Sequence, residues 1–221
     1  ANGPARIGLI PTTAVMRTER GRAVTIFEAA RVSGEREKTP VNIEIVSEYP
    51  ARGQVIIKVS PTVPKCFDIL IRVPAWSADT SIAVNGAEQS NVRAGEYYGI
   101  SREWPAGDEI CVTLDMRCEI IPAPHGSNRK GDAFCALRYG PIVLSRDKRL
   151  DPMYASPVTI VRGEDGCAVC ESVVTDIPDA RVALRVKTTD GYITVINYSA
   201  AGSSWDESSE FCTWMPTSGD N

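Results

Sequence analysis

Histidine is nearly missing from this 221-residue sequence: His125 stands alone. It sits in a Pro- and Gly-rich stretch with no Ser/Asp or Cys partner nearby. No Gly-x-Ser-x-Gly elbow occurs, so serine-histidine-acid catalysis has no support. Phosphate-cradling loops are missing too, since neither G-x-G-x-x-G nor G-x-x-x-x-G-K is present. No apolar run approaches the ~20 residues a membrane helix needs, and no basic-then-apolar leader opens the sequence. Charge of one sign is also lacking. The 24 basic and 28 acidic residues leave a net charge of −4. Around Arg17, Arg20, Arg22, Arg36 and Lys38 the cations are interleaved with Glu19, Glu35 and Glu37, which reads as a solvated surface loop rather than a phosphate-binding stripe. Nucleic acid and membrane are therefore not expected as partners.

What is present is β pattern. Apolar residues alternate in Val41, Ile43, Ile45; in Val55, Ile57, Val59; and in Phe67, Ile69, Ile71, Val73. The same period returns in Ile110, Val112, Leu114, in Val182, Leu184, Val186, and in Ile193, Val195. Turn residues bound each run. Asn85-Gly86 is a strong hairpin signal because its turn needs positive φ, and Gly107-Asp108 and Asp190-Gly191 read as further tight connections. No dozen residues sustain helical periodicity, which disfavours βαβ architecture. The expected fold class is all-β, an antiparallel β-sandwich or pair of sandwiches. Two segments break the rhythm, Pro122 to Gly131 and Ser145 to Pro157.

Seven cysteines, an odd number scattered through strand-like surroundings, favour a reducing compartment over a disulfide framework, and with it a cytoplasmic location. Cys167 and Cys170 form the one C-x-x-C. A closed zinc site would need a second ligand pair with similar spacing, and a redox pair prefers a helix N-terminus, so this pair reads as structural. Carboxylates lie near one another at Glu44 and Glu48, Asp108 and Glu109, and Asp206 and Glu207, but neither adjacent pair makes a glycosidase dyad within regular strand, because adjacent strand residues point to opposite faces. Asp108 reads as a turn residue and Glu44 as part of a polar face. Of the aromatics, Trp76 and Trp214 read as core or sandwich-edge packing. Trp205, in the polar loop GSSWDESS, is the one whose surroundings look exposed. Trp205 and His125 are thus the substrate-binding candidates, and no catalytic or metal-binding residue is assigned.

From Phe67 to Gly86 the sequence FDILIRVPAWSADTSIAVNG resembles family 127 glycoside hydrolases (β-L-arabinofuranosidase-like), through Arg72, Pro74, Trp76, Val84, Asn85 and Gly86. Tyr97 to Leu114 is similar to the same family through Arg102, Trp104, Gly107 and Asp108, although Asp115-Met116 stands where a Pro-Met recurs. ALRYGPIVL, INYSAAGSSW (with Tyr198, Ala201, Gly202 and Trp205) and FCTWMP extend the likeness towards the C-terminus, and ARIGLIPTTAV matches weakly at the start.

The resemblance implies a non-catalytic C-terminal β region that supports an upstream (α/α)6 barrel. In such enzymes the barrel carries a zinc-bound cysteine nucleophile, a Cys3Glu site and a glutamate acid/base. These 221 residues contain no adjacent Cys-Cys pair and no helical barrel pattern, so no catalytic residue carries over and no cofactor is expected in this chain. The expected partner is that barrel, in the same polypeptide. A homodimer through a bared apolar patch and a carbohydrate ligand are the other partner expectations. The alternatives are an autonomous carbohydrate-binding module or a structural domain with no sugar role. The resemblance also implies two jelly-roll-like sandwiches: 15–123, and 1–14 joined with 133–216, with 124–132 as linker and 217–221 as a frayed tail.

Overall fold

The computed structural model describes residues 13–124 and 134–217. His125, most of the expected linker and the N-terminal strand expected near Ile7 lie outside the described residues. The chain divides into two compact units, Ala1–Met116 and Arg117–Asn221.

The first unit contains β1 (Val15–Arg17), β2 (Gly21–Val24), β3 (Ala30–Arg36), β4 (Thr39–Ser47), β5 (Gln54–Pro61), β6 (Lys65–Arg72), β7 (Ser81–Val84), β8 (Ala87–Glu88), β9 (Tyr97–Trp104) and β10 (Asp108–Thr113). They form a four-stranded sheet, β1-β2-β6-β9, and a six-stranded sheet, β3-β4-β5-β10-β7-β8. Alternate residues of both sheets enter one apolar core. Val24, Phe67, Ile69, Ile71 and Trp104 come from the first sheet; Ile43, Val55, Ile57, Val59, Ile82 and Ile110 come from the second. A sandwich follows from this burial, because each sheet has one apolar face to cover. Pairing is antiparallel except for β2 with β6, which is parallel.

The mixed-charge stretch expected to be a loop is instead the β2 strand and the edge hairpin β3–β4. Its tight turn places Glu37 and Lys38 at φ 47 and 66. β3 alternates between exposed and half-buried residues with none fully buried, as a charge-protected edge strand would. The Asn85-Gly86 turn forms as expected, both residues having positive φ. Asp108 is not a turn residue but the buried first residue of β10. Its Oδ1 accepts from Asn85 Nδ2 at 2.8 Å, and Arg102 stands 3.3 Å from Oδ2. In return the Glu109 amide donates to Asn85 Oδ1 at 2.9 Å. Trp104 is fully buried and its indole N–H donates to the Phe67 carbonyl at 2.9 Å. Trp76 only packs against the core while half-buried.

The second unit contains β11 (Cys118–Pro122), β12 (Phe134–Tyr139), β13 (Ile142–Asp147), β14 (Cys170–Ser172), β15 (Ala183–Thr188), β16 (Gly191–Asn197), β17 (Phe211–Cys212) and β18 (Met215–Pro216). Its sheet runs β11-β12-β13-β16-β15-β14, with β17 on β13 and β18 on β12. The boundary thus falls at Met116 rather than at Ala123, because Cys118–Pro122 pairs antiparallel with Cys135–Tyr139. Thr217 is no frayed residue either, since it bridges Val158. Leu137, Leu144, Leu184, Val186, Val195 and Ile196 are buried. The sheet curls until its ends touch: the Ala168 amide, two residues before β14, donates to the carbonyl of Cys118, the first residue of β11, at 2.8 Å.

The segment from Ser145, expected to be irregular, begins as strand. Arg146 and Asp147 end β13 as buried charges, and each is fully engaged. Arg146 donates to Asp151 Oδ2 at 2.7 and 2.9 Å and to the carbonyls of Met153 and Ser156, both at 2.7 Å. The Asp147 carboxylate takes a two-pronged grip from Arg149 at 2.7 Å on each oxygen, and the amides of Arg149 (2.9 Å) and Gly202 (2.8 Å) also donate to it. Burial alone would raise the Asp147 pKa. The Arg149 guanidinium and the two amides outweigh it and hold the carboxyl below its ordinary value.

Two outcomes are expected. Trp104→Ala should cost roughly 3–5 kcal/mol in urea unfolding, the usual range for emptying a buried aromatic site, while the half-buried Trp76→Ala should cost about 1–2 kcal/mol. Equal losses would contradict the burial difference. For Asp147 the folded pKa lies below the unfolded one, so its stabilisation is complete above ~pH 4 and is lost as pH falls through the folded value. Asp147→Asn should therefore flatten the acid limb of stability against pH, and Asp147→Ala should cost about 3 kcal/mol at neutral pH by stranding Arg149. Urea unfolding of the three proteins between pH 3 and 7 checks both.

Candidate functional site

The buried Asp147–Arg149 pair anchors the loop around Trp205, the exposed aromatic expected from the sequence. Arg149 donates to the Ala200 carbonyl at 3.0 Å and reaches Ser203 Oγ at 3.4 Å, while Gly202 bonds Asp147. Gly202 has φ 63, and a Cβ there would stand 2.6 Å from the Phe211 ring, so glycine is needed on both counts. Ser209 Oγ donates to the Gly202 carbonyl and closes the loop's base. Asp206 accepts from the amide and hydroxyl of Ser208 at 2.7 and 2.6 Å, which holds its carboxyl below the ordinary value. From this tied loop Trp205 projects with 91% of its surface exposed, at φ 58. A β-branched or aromatic residue rarely holds that conformation, and such outliers cluster where function requires them.

Near the loop's ends Tyr198 and Phe211 stack edge-to-face, ring centres 5.6 Å apart, and both remain partly exposed. A groove of about 550 Å³ opens beside Arg149, lined also by Leu150, Val173, Asp176, Ile177 and Thr194. The arrangement can offer a fixed aromatic face to a flat apolar ligand surface, with hydroxyls and a guanidinium beside it.

The other candidates fare differently. Trp214 is not core: it is 44% exposed, and its carbonyl accepts from Cys212 Sγ at 3.1 Å. Glu44 binds Arg31 at 2.7 Å and Glu48 binds Arg52 at 2.6 Å. Asp108 is buried while Glu109 faces out, so those neighbours do point to opposite faces. Among the described residues no group of three His, Cys, Asp or Glu side chains is disposed to hold a metal.

The C-x-x-C spacing proves misleading as a guide to proximity. The residue that bears on Cys170 is not Cys167 but the buried Cys118, 52 positions away in sequence, whose carbonyl accepts from the Ala168 amide at 2.8 Å. The Cys118 thiol lowers the Cys170 pKa, and Cys170 together with burial raises that of Cys118. Cys167 lies at the end of the turn that precedes β14, where burial and the Asp165 charge push its thiol up. No local signal in the sequence marks the Cys118–Cys170 approach, because it depends on how far the sheet curls.

Residues 22–116 match the family model described as "Beta-L-arabinofuranosidase, GH127 middle domain". Among solved structures, a protein titled "Glycoside hydrolase" is 20% identical with a TM-score of 0.74, covering 93% of this chain and 37% of its own. A GH127 beta-L-arabinofuranosidase from Geobacillus stearothermophilus T6 is 21% identical with a TM-score of 0.76, covering 97% of this chain and 36% of its own. A further GH127 beta-arabinofuranosidase is 19% identical with a TM-score of 0.65, covering 89% and 35%. At such identities the likeness is one of fold, and this chain spans little more than a third of those proteins. No protein of curated function matches the sequence. Residues 22–116 are thus similar to a GH127 middle domain, and the fold along most of the chain is similar to that of GH127 proteins of known structure.

Proposed function

We propose that this chain is the non-catalytic β-sandwich region of a GH127-like glycoside hydrolase, whose reaction is carried by an upstream (α/α)6 barrel in the same polypeptide. The observation that carries this reading is the lopsided coverage: 97% of this chain aligns to 36% of a GH127 beta-L-arabinofuranosidase. The geometry agrees with it. Paired carboxylates are the usual glycosidase machinery, whereas Glu44 and Glu48 are tied to arginines, Asp108 to Asn85 and Asp206 to Ser208. Zinc belongs, in this reading, to the barrel. Among the described residues no group of three His, Cys, Asp or Glu side chains is disposed to hold it, and no step is assigned to a metal here. The region's work is to buttress the barrel and shape one wall of its cleft.

A second reading, an autonomous carbohydrate-binding module, draws on Trp205 alone. An indole held 91% exposed on a tied loop suits stacking against a sugar ring. Among the described residues no helix is long and apolar enough to cross a membrane; cytoplasmic residence and a homodimer remain proposals that follow from the cysteine count and the expected apolar patch.

Two measurements on the purified chain separate the readings. Incubated with aryl β-L-arabinofuranosides, with and without zinc, it should release no aglycone above buffer; turnover would refute the non-catalytic assignment. Titrated with arabinose and arabino-oligosaccharides, its tryptophan fluorescence should stay flat on the first reading. Saturable quenching that disappears in Trp205→Ala would establish the second.

A further inference from the structure

The β1–β2 hairpin and the edge strand β3 bring three arginines together in the first unit, and one of them is buried without an acid partner. Arg22 keeps only 7% of its surface exposed. Its guanidinium donates to two backbone carbonyls, those of Glu35 at 3.0 Å and Gly21 at 3.4 Å, which leaves the rest of its donor fork unengaged. Among the described residues it forms no ion pair with a carboxylate. Gly34 makes room for it, since a Cβ there would stand 2.8 Å from Arg22 Nη2. Glycine inside a strand weakens it and marks a close approach; here a guanidinium is what approaches. Arg17 faces Arg22 across the β1–β2 ladder, so both side chains leave the same face. Arg36 follows Glu35 on β3 and donates to the Glu19 carbonyl, in the turn between β1 and β2, at 2.8 Å. Its Nε is buried and has no acceptor among the described residues. Burial and the charges of Arg17 and Arg36 hold the Arg22 pKa below its ordinary value. The nearby acids are engaged elsewhere or turned away. Lys65 holds Glu37 at 2.7 Å, which leaves Arg36 3.6 Å from it, and Arg20 holds Asp68 at 3.1 Å. Glu19 and Glu35 lend only their carbonyls, their side chains being exposed.

We propose that Arg17, Arg22 and Arg36 form a binding site for a small oxyanion, either the carboxylate of an acidic sugar or inorganic phosphate. A buried charge without a counter-ion is costly to keep, and guanidiniums gathered at one hairpin repel one another. An oxyanion held among them supplies the missing acceptor and cancels that repulsion. Either ligand suits a guanidinium, whose planar fork pairs with two oxygens of a carboxylate or a phosphate at once. The carbonyls of Glu35 and Gly21 fix Arg22, and that of Glu19 fixes Arg36, so these two donors lose little freedom on binding. Arg17, exposed and with no ion pair among the described residues, is the arm free to close on the ligand. One oxyanion held by three side chains differs from the long row of phosphate contacts that nucleic acid requires. The site lies wholly in the first unit, apart from Trp205 in the second, and stands independently of the glycosidase reading.

The test is isothermal titration calorimetry of the full chain at fixed ionic strength in chloride, with galacturonate, inorganic phosphate and neutral galactose as probes. At least one of the two anions should bind saturably, with a dissociation constant of about 1 mM or tighter. Which of them does so tells a sugar acid from phosphate, and galactose should give no heat beyond dilution. Arg17→Gln and Arg36→Gln should each weaken the binding about tenfold, the loss expected for a charge-assisted hydrogen bond. Arg31→Gln removes an equal charge from the other end of β3, where Arg31 pairs with Glu44, and should leave the binding unchanged. Arg22→Gln should abolish it, and an unfolding temperature taken alongside separates loss of ligand from loss of fold; if the fold fails, the two outer arginines decide. Silence from both anions in the parent chain would overturn the site. So would full binding in either Arg17→Gln or Arg36→Gln, or an equal fall in Arg31→Gln.

Discussion

Every long strand of this protein must turn alternate side chains inward, and the two sheets of the first unit exist as a pair because of that constraint. Val55, Ile57 and Val59 from one sheet and Ile69 and Ile71 from the other are almost completely removed from water. At about 25 cal/mol per Å² of apolar surface, each such side chain contributes roughly 1.5–3 kcal/mol. Neither sheet could keep this face exposed, so each supplies the cover for the other. Shifting a single strand by one residue would turn its whole apolar row to solvent, which is why register is so strongly specified in β4, β5, β6 and β10.

Polar ties then decide the loops that the core leaves free. Asn85, Asp108 and Arg102 join the β7–β8 hairpin to the start of β10, and the pair at Asp147–Arg149 performs the corresponding task in the second unit. The second tie is the stronger, because Asp147 is wholly buried and receives four donors, whereas the Arg102 side chain is 40% exposed. A buried carboxylate with every lone-pair direction used costs little to keep and much to disturb. Rigidity at Gly202 and Ser209, and hence the fixed stance of Trp205, derives from that one carboxylate.

These physical differences explain what could be read from the sequence. The strands with a full apolar row, such as Val41 to Ile45 and Val55 to Val59, are legible because period-two burial leaves its mark on composition. β3 is illegible by the same token: as a half-exposed edge it buries no full row, and its turn uses Glu37-Lys38, which lack the Gly or Asn that marks positive φ. Trp205 is legible as exposed because its neighbours are Ser, Asp and Glu. Trp214 is not, because alternation with Cys212 suggests a core position on a strand, whereas β17 stops at Cys212. Arg146 and Asp147 are hidden by their charge. A buried ion pair looks in sequence like a solvated turn, and only the positions of Arg149, Asp151 and Gly202 distinguish the two.

The cysteines carry the same lesson to its sharpest point. Spacing along a chain reports proximity only where local structure is regular and short-ranged, as on a helix. In the second unit the curl of a six-strand path decides which residues meet, and it joins the first strand to the last. Cys167 and Cys170 are near in sequence, yet the stretch they share also meets the far end of the sheet, where the Ala168 amide bonds the carbonyl of Cys118, 50 positions away.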